Sequence, residues 1–107
     1  MLKKLLNWLV KFFRKEKLYG YQYVDDVPDH LRPGIVYLVG NQDYYWQMVM
    51  LCPCGCKKAL YMNLMAEYDP SWKYKITGET ISLSPSIDRQ VGCRSHFFLT
   101  HGKIKWC

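Results

Sequence analysis

The chain has 107 residues, of which 50% are hydrophobic, 22% charged and 16% aromatic, and its formal net charge is +6. This length suffices for one domain with a modest core and excludes two domains with separate cores, and the many aromatic residues exclude an intrinsically disordered chain. Residues 1–17 contain six lysine and arginine residues and one glutamate, which leaves a net charge of only +1 for residues 18–107. Nucleic acid is therefore not expected as a partner of the main body.

Residues 1–17 are predicted to form a basic amphipathic helix. Apolar side chains recur at intervals of three and four on one stripe, namely Leu2, Leu5, Leu6, Leu9, Phe12 and Phe13. Lys11 interrupts this run well before the roughly 20 residues that a transmembrane helix needs, and no signal-peptide cleavage site follows, so we expect a cytoplasmic protein. The helix is expected to dock on the domain or on a protein partner. The alternative is peripheral binding to an anionic membrane surface, with Trp8 at the boundary.

Residues 18–107 are predicted to form one mainly β domain of seven or eight short strands. Alternating, β-branched and aromatic residues between turn residues indicate strands at 19–24, 35–39, 44–51, 59–64, 72–76, 80–83, 96–100 and 103–106. The run at 35–39 is typical of a strand buried on both faces. The expected fold is a small antiparallel sheet, sandwich or barrel, and the absence of a Gly/Ser-rich linker indicates no further domain.

Two groups of potential metal ligands stand at predicted strand boundaries. Cys52, Cys54 and Cys56 alternate with Pro53 and Gly55 in a turn, and Cys93 lies three residues before His96. Structural zinc favours four cysteines, or three cysteines and a histidine, delivered by two such turns. The sequence therefore predicts one structural zinc ion that joins the two turns and on which the stability of this small domain depends.

Counting residues leaves the ligand set open. Cys93 and His96 form the firmest pair, and the separation of Cys52 and Cys56 best spans a turn, although Cys54 is an alternative to either. A disulfide framework is disfavoured because the number of cysteines is odd and no secretion signal is evident. A reactive thiol at Cys93 beside His96 is a further alternative.

The remaining polar and aromatic groups are given structural interpretations. The segment from Ser82 to Ile87 is interpreted as a strand end followed by a polar loop, because neither a G-x-S-x-G motif nor a nearby base is visible. The acids near residues 25–29 are expected in a solvated loop, the tyrosines and tryptophans mainly in the core, and Cys107 too near the terminus to act as a ligand. His101 and His30 are expected in a hairpin and a loop.

Several of these motifs in combination resemble the bacterial domain-of-unknown-function family 6527. The resemblance covers about residues 19–107 and is carried by VDDVPDHLRPGIVYLVG, CPCGC, Trp72, SLSPSI, CRSHFFL and GKIKW. It implies a zinc-binding β domain whose relatives are often encoded beside ubiquitin-like conjugation and deconjugation genes. It further implies the ligands Cys52, Cys54 or Cys56, Cys93 and His96, and it supplies no catalytic residue.

The sequence thus favours a zinc-binding protein-interaction or adaptor module, an accessory component of a bacterial ubiquitin-like modification system, over an enzyme. The alternatives are a metal- or thiol-dependent enzyme that uses Cys93 or Cys54, and a peripheral membrane protein acting through residues 1–17. The residues name neither the partner nor the oligomeric state.

Overall fold

The computed structural model describes residues 18–88 and 92–107, and within these ranges the chain forms eight β-strands and no α-helix. The strands are β1 (Gly20–Val24), β2 (Ile35–Asn41), β3 (Tyr44–Leu51), β4 (Ala59–Asn63), β5 (Lys73–Thr77), β6 (Thr80–Asp88), β7 (His96–Thr100) and β8 (Lys103–Trp106). The prediction of a mainly β protein is confirmed. The predicted helix over residues 1–17 lies outside the described residues. No helix in the described ranges has the length and apolar content needed to cross a bilayer.

The strands form two four-stranded sheets. The first has the order β1-β2-β3-β4 and the second the order β5-β6-β7-β8. All neighbouring strands are antiparallel except β1 and β2, which run parallel and are joined through residues 25–34. Strand β4 is consequently an edge of the first sheet, and β6 and β7 are the central strands of the second.

The core lies between the inner faces of the two sheets. Alternate residues of each strand point inward, as the period of two requires. Buried side chains of the first sheet pack with those of the second in a single cluster, which contains Val36, Leu38, Met48, Met50, Leu60 and Met62 from one sheet and Ile81, Leu83, Ile87, Phe97 and Leu99 from the other. Cys52 belongs to this cluster, so one of the predicted metal ligands is part of the core.

Strand β2 is buried on both faces, as its β-branched sequence predicts. A second small cluster of Tyr37, Val39 and Val49 lies on the outer face of the first sheet. Val27 and Leu31, from the segment that joins β1 to β2, pack against it. The backbone N–H of Arg32 donates a hydrogen bond to the Tyr37 hydroxyl at 3.0 Å. The segment that joins β1 to β2 thus also covers the outer face of the first sheet.

The one large error in the predicted strands concerns β6. The strand does not end at Leu83 but continues to Asp88, so the segment interpreted as a polar loop is part of the sheet. Leu83 pairs with Leu99 and Ile87 pairs with Phe97, so β6 accommodates two more residues than β7 over this interval. Such a bulge bends a strand and re-aims its side chains, and bulges are frequent beside active sites. Pro85 is compatible with the bulge, where the regular ladder is interrupted.

Replacement of Gly40 by alanine is expected to destabilise the fold strongly. Gly40 lies at the register shift between β2 and β3, and a Cβ atom there would lie 2.2 Å from the Tyr44 carbonyl oxygen and 2.5 Å from the Tyr45 Cα atom. Since backbone atoms cannot move aside cheaply, we expect a loss of about 3 kcal/mol in the free energy of unfolding, measured by urea denaturation. Gly20→Ala is the control, because its Cβ atom would have no neighbour closer than 4.0 Å. Equal stabilities of the two variants would contradict this prediction.

Candidate metal centre and serine–histidine pair

Four cysteines from two turns converge at one end of the two sheets. Cys52 directly follows β3, Cys54 and Cys56 lie in the turn before β4, and Cys93 lies shortly before β7. Their sulfur atoms all lie within 4.8 Å of one another. The Cys52 sulfur is 3.4 Å from that of Cys54 and 3.5 Å from that of Cys93, and the Cys56 and Cys93 sulfurs are 3.8 Å apart. The two turns therefore meet through their thiols.

The local sequence explains the shape of the first turn. The Cys52 N–H donates to the Lys58 carbonyl at 2.8 Å, which closes the loop between β3 and β4. Within it, the Gly55 N–H donates to the Cys52 carbonyl at 3.3 Å. Gly55 has φ of 92°, a region that glycine enters without the penalty of a Cβ atom. The turn thereby directs three alternate thiols toward one point.

The four sulfurs fit a tetrahedral metal ion. A Zn–S bond of about 2.3 Å in tetrahedral geometry places neighbouring sulfurs about 3.8 Å apart, which is close to the separations found here. Thiolates are soft donors that suit zinc or iron. The four cysteines can therefore hold a metal ion, and the donor set by itself does not identify the metal.

The electrostatics of the cluster favour a cation among the sulfurs. The hydrogen bond with the Ser95 hydroxyl, at 3.0 Å, is the main cause that lowers the pKa of Cys93 to about 5. By contrast, hydrogen bonds with the Cys52 and Cys93 thiols raise the pKa of Cys54 to about 11. A backbone hydrogen bond with Lys58 is the main cause that lowers the pKa of Cys56, so the cluster favours ionisation of Cys93 and Cys56 and opposes that of Cys54. A bound metal ion would supply the positive charge that allows all of them to ionise.

Ser95 links the cysteine cluster to the start of β7. Its side chain is buried, and its hydroxyl lies 3.3 Å from the Cys52 sulfur and 3.0 Å from the Cys93 sulfur. The next residue is His96, which opens β7. The structure brings the four predicted cysteine ligands together and leaves the fifth predicted ligand, His96, outside this group.

The imidazole of His96 instead lies against a serine of the neighbouring strand. The Ser86 Oγ and His96 Nε2 atoms are 3.0 Å apart, within hydrogen-bonding distance. Ser86 lies in the bulge of β6. Asp88, two residues further along the same strand, pairs directly with His96 of β7. Ser86 and His96 are therefore diagonal cross-strand neighbours on the solvent-facing side of the second sheet, where Phe98 is also exposed.

A tryptophan supports the backbone at Ser86. The indole N–H of Trp72, just before β5, donates to the carbonyl oxygen of Ser86 at 3.3 Å. The Trp72 backbone N–H donates to the Asn63 carbonyl at the end of β4, at 2.8 Å. Trp72 thus connects the edge of the first sheet to the bulge that carries Ser86.

The other candidate residues occupy positions outside these two groups. His101 lies in the turn between β7 and β8, where its backbone N–H donates to Ser82 Oγ at 2.8 Å. Cys107 is exposed and is not part of the cysteine cluster. Asp26 accepts a hydrogen bond from the Val27 N–H at 2.8 Å, as a loop residue does.

The described residues define a small two-sheet β protein with a four-cysteine cluster able to hold a metal and a serine–histidine pair adjoining it. The BubE family model, described as "Bacterial ubiquitination-like system serine protease", matches residues 23–107, about four fifths of the chain. The chain therefore belongs to the BubE family. This match supports the association with bacterial ubiquitination-like systems that the sequence resemblance implied, without naming family 6527. No curated protein and no solved structure gives a significant match.

Sequence reasoning missed Ser86 and Trp72 as residues of a site. No base is visible near the serines in the sequence, because the imidazole comes from the next strand, ten residues away. The sequence did contain one indication of this pair, the predicted strand at 96–100. If the strand before it had been extended to residue 88, pairing of the two strands would have placed His96 opposite the serine-rich segment.

Proposed function

We propose that this chain is a serine protease of a bacterial ubiquitination-like system, with Ser86 as the nucleophile and His96 as the general base. The observation that carries the proposal is the 3.0 Å separation of Ser86 Oγ and His96 Nε2 in a strand bulge. The family is described as a serine protease, a class of enzyme whose nucleophilic hydroxyl needs a base beside it. Among the described serines, Ser86 is the residue whose hydroxyl has a histidine ring nitrogen as its partner.

The pair has the atoms that peptide hydrolysis needs. With the proton of the neutral imidazole on Nδ1, the Ser86 hydroxyl donates to His96 Nε2. Attack of Oγ on the carbonyl carbon of the scissile peptide bond forms the C–O bond while Nε2 takes the proton. Collapse of the intermediate breaks the C–N bond, and Nε2 returns the proton to the leaving amine. Water then hydrolyses the acyl ester by the same proton transfers in reverse, which restores the serine.

The cysteine cluster is proposed to bind one structural zinc ion through Cys52, Cys54, Cys56 and Cys93. A zinc ion would neutralise the thiolates and join the turn after β3 to the start of β7. Since Cys93 lies three residues before His96, this connection would hold the imidazole in place relative to Ser86. In this proposal His96 is a catalytic residue and not a metal ligand.

Two other functions are less well supported. A thiol enzyme using Cys93 or Cys54 would need a sulfur free of its neighbours, but both sulfurs lie within the four-cysteine cluster. An adaptor without catalytic activity, acting through protein contacts of the same system, gives no role to the Ser86–His96 pair. Zinc binding, protein partners and a reducing cytoplasmic location are compatible with the protease and stay predictions.

Covalent labelling tests the proposal directly. A fluorophosphonate probe reacts with activated serine hydroxyls, so we expect one phosphonyl adduct per chain, mapped by mass spectrometry to the peptide that contains Ser86. Ser82→Ala is the control, since the Ser82 hydroxyl accepts a hydrogen bond from a backbone N–H and has no imidazole partner in the described structure; this variant should label at the wild-type rate.

Labelling should disappear in Ser86→Ala and fall sharply in His96→Ala, because the imidazole activates the hydroxyl. An adduct on a cysteine or on another serine, with Ser86 unmodified, would contradict the assignment of the nucleophile.

A further inference from the structure

We propose that an extended peptide of the substrate binds as an added strand along the free edge of β4, in the groove between β4 and β6 that leads to Ser86. The inference rests on the proposed function, because the occupant is the polypeptide that Ser86 cleaves. It adds to that function the surface that recognises the substrate and the backbone conformation that the substrate adopts.

The hydrogen bonds of β4 leave an unpaired row of backbone groups. Just beyond the two ends of β4, hydrogen bonds to β3 and to the residue that follows it show which residues face β3. The Leu64 N–H donates to the Trp46 carbonyl at 3.0 Å, and the Lys58 carbonyl accepts from the Cys52 N–H at 2.8 Å. Because antiparallel strands alternate, the even-numbered residues of β4 bond to β3. The N–H and C=O groups of Ala59 and Tyr61 therefore point away from β3, toward the free edge.

A hydrogen bond at the end of β4 supports the outward direction of the odd-numbered backbone groups. The Asn63 carbonyl, two residues from Tyr61, points outward and accepts from the Trp72 N–H at 2.8 Å. Trp72 therefore occupies the edge at Asn63, while no described residue pairs with the outward backbone groups of Tyr61. Beyond Trp72, no backbone group in the described part of the chain pairs with the edge over Ala59 to Tyr61.

The open edge faces the strand that carries the nucleophile. A cavity of about 240 Å³ is lined by residues 59–62 of β4 on one side and by Ile87 and Asp88 of β6 on the other, with Trp72 at its boundary. Ile87 directly follows Ser86, and the Trp72 indole donates to the Ser86 carbonyl. A peptide strand paired with Tyr61 would thus lie beside Ile87 and Asp88, next to the backbone of the residue that carries the nucleophile.

A second, larger cavity continues the groove. It has a volume of about 640 Å³, shares Tyr61 and Trp72 with the first, and is otherwise lined by residues that include Trp46, Met65 and Tyr68. Tyr61 is 58% exposed although it is a large aromatic residue. Recognition of extended peptides combines main-chain hydrogen bonds to a sheet edge with pockets for alternate side chains. The two cavities, which share Tyr61 and Trp72, provide such pockets.

Substitutions at Tyr61 test both parts of this proposal. Tyr61→Pro removes an N–H that points away from β3, so the β3–β4 ladder remains while the bond to the substrate is lost. With the most rapidly cleaved peptide of a proteome-derived library as substrate, we expect KM to rise about tenfold or more. Tyr61→Ala keeps the N–H and should raise KM less. Tyr23→Ala, an equal truncation of an exposed tyrosine on the opposite edge strand β1, should leave KM unchanged.

A small probe separates this inference from the proposed function. The fluorophosphonate does not need the groove, so its rate of reaction with Ser86 should be the same in wild type, Tyr61→Pro and Tyr61→Ala. Hydrogen exchange adds a direct readout: in Ser86→Ala, saturating peptide should slow exchange of the Tyr61 amide.

Wild-type KM in both Tyr61 variants, with labelling of Ser86 retained, would refute the groove and leave the protease intact. Failure of wild type to label or cleave would instead refute the proposed function. If Tyr61→Ala abolished a concentration-dependent dimer without changing KM, the edge would be assigned to a second copy of the chain, against the proposal.

Discussion

The variant Ser86→Ala is expected to lose peptidase activity by a factor of about 10⁴ or more, because removal of the nucleophile prevents formation of the acyl-enzyme. The measurement is kcat/KM for a peptide cleaved by the wild-type protein, identified in a proteome-derived library from its new termini. The substitution removes one hydroxyl from a partly buried position, so the free energy of unfolding should fall by no more than about 1 kcal/mol.

The matched control is Ser84→Ala, which removes an exposed hydroxyl from the same bulge two residues away. It should retain wild-type kcat/KM. His96→Ala should lose activity to nearly the same extent as Ser86→Ala, and the double variant should be little worse than either single variant, because the two side chains act as a unit. Independent, additive losses would contradict a nucleophile–base pair.

Removal of the metal is the change with the second largest expected effect. Purified protein should contain about one zinc ion per chain, and a strong chelator should unfold it, because apparent zinc-binding free energies of about 10–16 kcal/mol are comparable with the whole stability of a domain this size. Cys52→Ser should have the same effect, since Cys52 is both buried in the core and part of the cluster. Metal analysis and circular dichroism are the measurements.

Three further variants decide the ligand set. Cys107→Ser is the control for loss of a thiol outside the cluster and should retain full metal content. His96→Ala should also retain the metal while it loses activity, whereas Cys93→Ser should lose both. Loss of zinc from His96→Ala would restore a three-cysteine, one-histidine site and remove the base from the proposed mechanism.

Most strand positions follow from local patterning in this sequence. Strands β3, β7 and β8 begin and end at the predicted residues, and β2 is buried on both faces because its apolar run carries no alternation. The sequence also indicated that Cys52, Cys54 and Cys56 lie in one turn, because Pro53 and Gly55 between them are typical of a compact turn. These features depend on residues close together along the chain.

The extent of β6 could not be predicted in the same way. Ser84, Pro85 and Ser86 have the composition of a loop, and only pairing with β7 keeps them in a sheet. Propensity is a weak guide where tertiary contacts supply the hydrogen bonds. The sequence therefore did not predict the bulge, nor the orientation of the Ser86 side chain that depends on it.

Length and charge set the first limits on this protein: a size that predicts one small domain, a nearly neutral body, and most of the net positive charge in residues 1–17. The sequence by itself also determined the mainly β class and the cysteines that can gather at one point. The tertiary structure decided the partner of His96. Its spacing from Cys93 is compatible with ligation, but the β6–β7 register places its ring 3.0 Å from Ser86. Side chains ten residues apart meet only when two strands pair, and that register is set by the packing of Leu83, Ile87 and Phe97 in the core.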